Sequence, residues 1–207
     1  MEIMRKFNVH LKSLSPLIMH SDRGCNPFNP LTKKMKQISS IKNKKEDHFL
    51  AMSRIEFELG LYYDEEIGVY LPSKCLMGCI KAAARKQKKG KDTRGISIDC
   101  AIGTPLIGHE KSTPEKLWEV VGKNGEQKYV HVEAVKVMRA KIMRTRPIFH
   151  SWEVKFDLYL DTECFTAEEL KAIIITSGFE CGLCEMRPEK ATGSYGRFSL
   201  ESMKEIK

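Results

Sequence analysis

The stretch WEVKFDLYLD, residues 152–161, decides the fold class of this chain. Apolar and polar side chains alternate along all of it, which is the period-two pattern of a β-strand with one buried face. A helix signal follows directly: the sequence TAEE at 166–169 has the spacing of a capping box, and Gly178 ends the apolar stripe behind it. This part of the chain therefore predicts a strand followed by a helix.

The same patterns recur outward from this stretch. Further strands are predicted at 7–11, 55–59, 69–71, 96–102, as one strand or a bent pair over 129–146, and at 198–200. Helices are predicted briefly from Asp47, over 73–88, and from Thr113 with Pro114 at its first helical position to Gly122. The acidic turn at 64–68 predicts a hairpin, and Pro147 is expected to interrupt strand pairing.

This order of elements implies an α+β sandwich with helices packed on an antiparallel sheet, similar to a ferredoxin-like βαββαβ arrangement. The 207 residues are expected to form one domain, 1–207. Within it, 21–48 is predicted to be a basic, flexible loop insertion. Its part from 23 to 45 carries seven lysines and arginines and no acidic residue, and its Asn-Pro dipeptides oppose regular structure.

The charge of the chain favours an acidic partner. Lys plus Arg outnumber Asp plus Glu by 35 to 27, which gives a net charge of +8 and a pI near 9.1. A nucleic acid or an acidic surface suits this balance, and a basic but merely solvated surface has the same composition. No apolar run approaches the roughly 18 residues of a membrane span, and the first residues lack the apolar core of a signal peptide. A cytoplasmic protein without a membrane partner is expected.

Seven cysteines, an odd number in apolar or helical surroundings, suit a reducing compartment. Cys181 and Cys184 have thioredoxin-like CxxC spacing, but they follow a helix where thioredoxin-like thiols open one. Cys75 and Cys79 have CxxxC spacing inside the predicted helix over 73–88. Redox or metal chemistry is the alternative to the simpler interpretation of buried small hydrophobes. No metal or cofactor is expected.

Positive charge recurs in several predicted elements and in the glycine-rich segment 182–198. In the helix over 73–88 the cations share one face, because their spacing is i, i+7, i+11 and i+14. A solvated helix face and a purely structural glycine turn are the alternatives, and Arg187 before Pro188 is interpreted as a scaffold residue. The candidate nucleic-acid-binding residues are Lys33, Lys34, Lys36, Lys74, Lys81, Arg85, Lys88, Arg139, Lys141, Arg144, Arg146, Tyr195 and Arg197.

Three motifs resemble the RAMP superfamily, the modified RNA-recognition folds that form the backbone subunits of CRISPR effector complexes. SPLIMH at 15–20 is similar to the end of its first strand. LPSKCLMGCIK at 71–81 resembles its IPGSSLKGALR helix start, although Lys74 and Cys75 stand where a glycine-serine turn is common. The segment 182–198 is similar to its C-terminal glycine-rich loop. MRTRP at 143–147 also resembles small phage and mobile-element proteins, which suggests a solitary member in a bacterial host cell.

The resemblance implies a protein that cradles single-stranded RNA with a basic helix face, a long loop after strand one and the glycine-rich loop. Members commonly stack into a filament, with an extended loop as a thumb over the neighbour's bound strand, and 23–45 fits that role by position and charge. A basic groove with exposed aromatic rings would bind a strand of RNA or DNA without reading its sequence. A protein-interaction module that targets or mimics part of a CRISPR complex is a further alternative.

Cleavage is a separate question. Some members of the superfamily cut RNA with an aspartate after strand one in a metal-assisted reaction, and Asp22 is at about that position. Others use an N-terminal histidine as general base, and His10 or His20 could take this part. No partner for either histidine, and no second carboxylate near Asp22, is identifiable in the sequence. Non-catalytic binding with oligomerisation along the strand is therefore the leading hypothesis, and a metal-dependent ribonuclease using Asp22 is the alternative.

Overall fold

A computed structural model describes residues 3–138, 140–190 and 193–206, and it contains both strands and helices. The strands are β1 (Met4–Ser13), β2 (Leu17–Ile18), β3 (Tyr63–Asp64), β4 (Gly68–Pro72), β5 (Ile96–Ile98), β6 (Gly103–Pro105), β7 (Val130–Val137), β8 (Ala140–Phe149), β9 (Glu153–Asp161) and β10 (Phe198–Ile206). The helices are α1 (Pro30–Ser39), α2 (Glu46–Gly60), α3 (Ser73–Lys86), α4 (Pro114–Glu119) and α5 (Ala167–Thr176). In these ranges no helix has both the length and the apolar character that crossing a bilayer requires.

The main sheet has four strands in the order β10-β1-β9-β5, and all of its pairs are antiparallel. One face of this sheet is buried: Phe7, Val9 and Leu11 of β1 point inward, as do the apolar residues of β9. The helices α3 and α5 cover that face. The alternation in 152–161 thus places one face of β9 in the core, as the sequence predicts. The fold class is α+β with antiparallel sheets.

The helix α5 begins with the predicted capping box. The Thr166 hydroxyl accepts a hydrogen bond from the Glu169 amide at 3.2 Å, and the Glu169 carboxylate accepts one from the Thr166 amide at 3.0 Å. These bonds satisfy two backbone donors that the first turn of a helix leaves free. Leu170, Ile173 and Ile174 are buried, so α5 presents the expected apolar stripe to the sheet.

Two smaller sheets flank the main one. The order β2-β8-β7 contains the paired strands predicted over 129–146, and the order β3-β4-β6 contains the predicted hairpin. The outer part of the β7–β8 pair is exposed, with Val132, Met138 and Met143 at 51%, 90% and 59% exposure. We call this outer part, residues 131–138 and 140–143, the arm.

The prediction of a flexible loop at 21–48 is wrong. The segment contains a 3-10 turn at Asp22–Cys25, all of α1 and the beginning of α2. Asn29 and Pro30 start α1 instead of opposing it: the Asn29 side chain accepts a hydrogen bond from the Leu31 amide at 2.9 Å, and Pro30 occupies the first turn. Proline is well suited to that position because its missing N–H has no helical partner there.

The predicted strand at 55–59 is also wrong, because these residues belong to α2. Ile55, Phe57 and Leu59 are all buried, although Phe57 points away from the other two. The reason is that α2 is covered on more than one side: it packs on β8 and also on α4, where Phe57 meets the Trp118 ring edge-on at 5.3 Å. A helix buried on two sides produces the same apolar alternation as a strand.

Pro147 does not interrupt pairing, since it lies inside β8 opposite Val130. Its carbonyl accepts a hydrogen bond from the Met19 amide at 3.0 Å, and the next amide, of Ile148, donates to the Tyr129 carbonyl at 2.9 Å. Pro147 is opposite the end of β2, so its missing N–H removes little from the ladder there.

Candidate nucleic-acid interface

The glycine-rich segment 182–198 is fixed to the end of β1 by backbone hydrogen bonds. The Gly196 amide donates to the Pro16 carbonyl at 2.7 Å, and the Leu183 amide donates to the Gly196 carbonyl at 2.9 Å. Gly196 has φ +70°, and a Cβ there would lie 2.1 Å from the Leu183 carbonyl oxygen. Only glycine fits this close approach. A π-helical turn at Ser177–Cys181 follows α5 directly. Gly182, with φ +67°, comes next and starts the glycine-rich segment.

Three depressions adjoin one another, and the second of them borders this segment; we call them together the basic groove. The first, of about 280 Å³, lies between α2 and β8; the second, of about 480 Å³, lies between α3 and the glycine-rich segment; the third, of about 470 Å³, lies between α3 and the turn at Asp92–Gly95. His20 borders the first and second, and Arg85 borders the second and third. The cations that line the groove are Lys74, Lys81, Arg85, Lys91, Arg94, Arg144, Arg146, Arg187 and Lys190, and the acids are Glu56, Glu185 and Glu189.

Charge in the groove is neutralised unevenly. In the first depression the Arg144 guanidinium bonds the Glu56 carboxylate at 2.5 Å, and in the second Arg187 and Lys190 face acidic neighbours at 3.2 and 3.4 Å. The cations of the third depression are exposed and form no salt bridge with any residue of the described ranges; they are Lys81, Arg85, Lys91 and Arg94. The third depression therefore retains its full positive charge.

The groove unites five of the residues predicted from sequence: Lys74, Lys81, Arg85, Arg144 and Arg146. The others lie outside its lining. Lys33, Lys34 and Lys36 are exposed on α1, Lys88 is exposed just beyond α3, and Lys141 is exposed on the arm. Arg139 lies outside the described residues.

The two predicted residues of the glycine-rich segment also lie apart from the groove lining. Tyr195 is half-buried, with its ring 5.9 Å from that of His131. Arg197 stacks on the exposed Phe179 ring at 5.0 Å, and its Nε is buried without a hydrogen-bond partner in the described part of the chain. The Arg197 carbonyl also accepts from the Leu14 and Ser15 amides at 2.8 and 3.2 Å. These contacts favour a packing role for Arg197.

Four groove cations are outside the set of candidate residues, although the sequence indicates that two of them, Lys91 and Arg94, extend the basic face of α3. Lys91 and Arg94 follow Gly90, where a Cβ would lie 2.6 Å from Cγ of Arg85, so the turn closes tightly on α3. Their proximity in sequence to the α3 cations was the available signal. Arg187 does act as a scaffold, because it donates to the Cys184 carbonyl at 2.9 Å, but its side chain also lines the second depression. Nothing in the sequence pattern singles out Lys190.

The outer face of the main sheet has a different charge pattern. Lys6 bonds Asp99 and Asp157 at 2.8 and 3.2 Å, and Glu153 bonds both His10 and Lys12 at 2.9 and 3.4 Å. Carboxylates thus pair with Lys6 and Lys12 on this face, while Lys155 and Lys204 are exposed without a salt bridge to any described residue. A polyphosphate strand would meet acidic groups there, which argues for the groove as the binding surface.

The candidate catalytic residues have partners that were not identifiable in the sequence. Nδ1 of His20 lies 3.5 Å from the Glu185 carboxylate, and this contact lowers the pKa of Glu185 to about 2. The hydrogen bond from His10 lowers the pKa of Glu153. Asp22 pairs with Lys74 at 2.7 Å, and that hydrogen bond lowers the pKa of its carboxyl group. Across the described ranges no three potential ligand side chains cluster around a common metal position.

A scan against protein-family models finds no match for this chain, and a search of curated proteins likewise yields no matching protein.

Proposed function

We propose that the chain binds single-stranded nucleic acid, RNA or DNA, in the basic groove and does not cut it. The observation that carries this proposal is the charge of the groove: nine lysines and arginines line three adjoining depressions, and five of them form no salt bridge with any described residue, namely Lys81, Arg85, Lys91, Arg94 and Arg146. Phosphate contacts from such residues release counterions, and this release is the main source of sequence-independent affinity. No base-reading pattern is needed for binding of this kind.

The shape of the groove favours a single strand over a duplex. The path passes from β8, around His20, to α3 and then past Arg85 to the turn at Asp92–Gly95. A flexible strand can follow such a path from one depression to the next. A duplex resists bending, with a persistence length of about 50 nm, and could contact only part of it.

The strand order supports a ferredoxin-like arrangement, which is the fold that the RAMP resemblance implies. Taken in sequence, β1-α3-β5 and β9-α5-β10 form two strand-helix-strand units. In the order β10-β1-β9-β5, each unit places a strand of the other unit between its own two strands, so the units interlock as split βαβ motifs. We propose membership of the RAMP superfamily on this order and on the three sequence motifs.

We further propose that copies of the chain associate along the bound strand. The arm supports this proposal, since it exposes Val132, Met138 and Met143 on a two-stranded ribbon. Exposed apolar side chains grouped on a projecting element are typical of protein-protein contacts. The segment 23–45, to which the sequence assigns a thumb-like role, instead contains α1, which packs against α2.

The proposal is tested by titrating labelled single-stranded RNA, single-stranded DNA and a duplex of equal length at several salt concentrations. If about six groove cations meet phosphates, the slope of log K against log salt for a single strand is about −4. We expect both single strands to bind more tightly than the duplex. Weak binding that does not change with salt would refute the proposal, and electron microscopy of the complexes tests the association of copies.

One observation favours a ribonuclease as a second candidate function. His20 is 54% exposed at the boundary of two depressions, and Glu185 is placed to orient its imidazole. A histidine held this way could remove a proton from a ribose 2′-hydroxyl. In that case His20→Ala would abolish cleavage of bound RNA and leave binding intact. The metal-dependent alternative predicts the same loss for Asp22→Ala, together with a requirement for a divalent cation.

The protein-interaction alternative differs from strand binding and from cleavage because it does not require nucleic acid. A module that targets or mimics part of a CRISPR effector complex would bind that complex after nuclease treatment. Strand-dependent association would count against it.

A further inference from the structure

The fold brings together two cysteine pairs that are far apart in sequence. Cys75 and Cys79 lie one turn apart on α3, and Cys181 and Cys184 lie at the start of the glycine-rich segment. Cys79 and Cys181 are buried in the core. Cys75 is half-buried and lines the second depression of the basic groove, as does Cys184. Cys184 is buried like Cys79 and Cys181, and the same depression is lined by Cys75, Cys79 and Cys184 but not by Cys181.

Cys75 has the environment of a reactive thiol. Cys75 and Cys184 line the same depression, and the Cys75 sulfur lies 3.9 Å from the Tyr62 hydroxyl. The hydrogen bond from Cys184 lowers the pKa of Cys75 to about 7. The nearby positive charges of Lys74 and Arg187 act in the same direction. Since the thiolate is the nucleophile, a pKa near neutrality gives Cys75 a large reactive fraction together with useful nucleophilicity. The other charged or titratable groups lining this depression are His20, Cys79, Arg85, Glu185, Glu189 and Lys190.

The other thiols with altered acidity are shifted the opposite way. Burial raises the pKa of Cys79, Cys164 and Cys181, so these side chains stay protonated near neutral pH. The hydrogen bond to Cys75 raises the pKa of Cys184, so Cys184 is the thiol of the two that keeps its proton. Within the described residues, the thiol chemistry of this region therefore centres on Cys75.

We propose that Cys75 and Cys184 form a redox-active thiol pair that is oxidised by small disulfides of the glutathione type. The Cys75 thiolate attacks one sulfur of glutathione disulfide, an S–S bond forms to Cys75, and one glutathione leaves as a thiolate. The Cys184 sulfur then attacks the Cys75 sulfur and expels the second glutathione. The protein loses two thiol protons and two electrons as one disulfide forms, and glutathione disulfide is reduced to two glutathione thiols.

The second depression suits this oxidant. Its volume of about 480 Å³ leaves room for a tripeptide, and Arg85, which forms no salt bridge within the described ranges, lines it together with the two thiols. Glutathione carries carboxylates, which the Arg85 guanidinium attracts. The CxxC spacing of Cys181 and Cys184 is therefore misleading: the partner of Cys184 is on α3, and Cys181 is enclosed in the core. This thiol chemistry does not require that the groove binds nucleic acid.

The test uses the full chain with Cys25→Ser, which removes the exposed thiol, in three further forms: otherwise unchanged, with Cys184→Ser, and with the matched control Cys181→Ser. Each is incubated with glutathione disulfide at neutral pH and mapped by peptide mass spectrometry. We expect a Cys75–Cys184 disulfide in the unchanged form and in Cys181→Ser. In Cys184→Ser we expect glutathione to stay attached to Cys75.

Two results would overturn the proposal. One is that Cys75 reacts no faster than the half-buried Cys100 and Cys164. The other is that glutathione stays on Cys75 even when Cys184 is present, because Cys184 then does not resolve the mixed disulfide. If Cys184→Ser lacks a cooperative thermal transition, Cys184→Ala replaces it. Cys75→Ser gives an independent readout, since it must abolish both the adduct and the internal disulfide.

Discussion

Neutralising the third depression is the sharpest test of the basic groove. Lys81, Arg85 and Arg94 line it, are exposed, and form no salt bridge with any residue that the structure describes. Replacing all three with glutamine keeps polar side chains of similar length and removes only the charges. We therefore expect the variant to fold and to bind single strands less tightly.

The size of the loss follows from counterion release. Each phosphate contact to a single strand contributes about 0.7 to the slope of log K against log salt, so three contacts contribute about 2. At about 0.1 M salt, one decade below the 1 M reference, losing them lowers the affinity about 100-fold, or about 3 kcal/mol. The slope itself becomes shallower by about 2.

Fluorescence anisotropy of a labelled oligonucleotide, measured over a salt series, gives both quantities. The matched control removes three lysines away from the groove: Lys155→Gln, Lys204→Gln and Lys171→Gln. They lie on β9, β10 and α5, are exposed, and form no salt bridge with any described residue. The net charge of the two variants is the same, so only the position of the lost charge differs.

An equal loss of affinity and slope in the two variants would refute binding in the basic groove, because the net charge and not its location would then govern binding. Unfolding is detected separately, by loss of the cooperative thermal transition. If the triple variant unfolds, Arg94→Gln alone must still make the slope shallower by about 0.7.

Three further outcomes are expected. Gly196→Ala should destabilise the protein by at least about 2 kcal/mol in chemical denaturation, because it combines φ +70° with a backbone clash. The control Gly78→Ala, with open space around its Cα, should be neutral or stabilising by up to about 1 kcal/mol. The pKa of Glu185 is about 2 in the folded protein against an ordinary 4.5. The stability that its contact with His20 provides is therefore present above pH 4.5 and is lost as the pH falls towards 2. Glu185→Gln should remove this part of the acid dependence in thermal melts, and an unchanged acid profile would refute a stabilising role of the contact. Arg197→Ala should lower stability by about 0.5–1 kcal/mol through the lost stacking while the salt slope of strand binding stays constant, and a shallower slope would place Arg197 in the interface.

The elements that the sequence predicts correctly are those whose burial has a single direction. β9 and α5 each bury one face, so period two and the helical stripe are visible in the residues themselves. The helix α2 has no such single face: β8 covers one side and α4 another, and this depends on parts of the chain about 60 to 90 residues later. Local pattern cannot show packing of that kind.

The residues of the candidate site were likewise predictable only where a local pattern reveals them. Lys74, Lys81 and Arg85 were predictable as a group because helical periodicity alone aligns them on α3. Their union with Arg144 and Arg146 required the placement of β8 next to α2, which rests on contacts such as the 2.7 Å hydrogen bond between Ser53 and Thr145. Those contacts link residues 92 positions apart, and no sequence spacing encodes them.

The position of β1 in the main sheet has a consequence for how the chain folds. Both neighbours of β1 are strands from the last third of the chain: β9 pairs Met4 with Asp161, and β10 pairs Lys6 with Ile206. During synthesis β1 therefore has no sheet partner until most of the chain has left the ribosome. A strand with two open edges and the buried face of Phe7 and Val9 is prone to aggregate in that interval. Contacts of such sequence separation also slow folding, so we expect the yield of folded protein to rise when translation is slowed or chaperones are abundant.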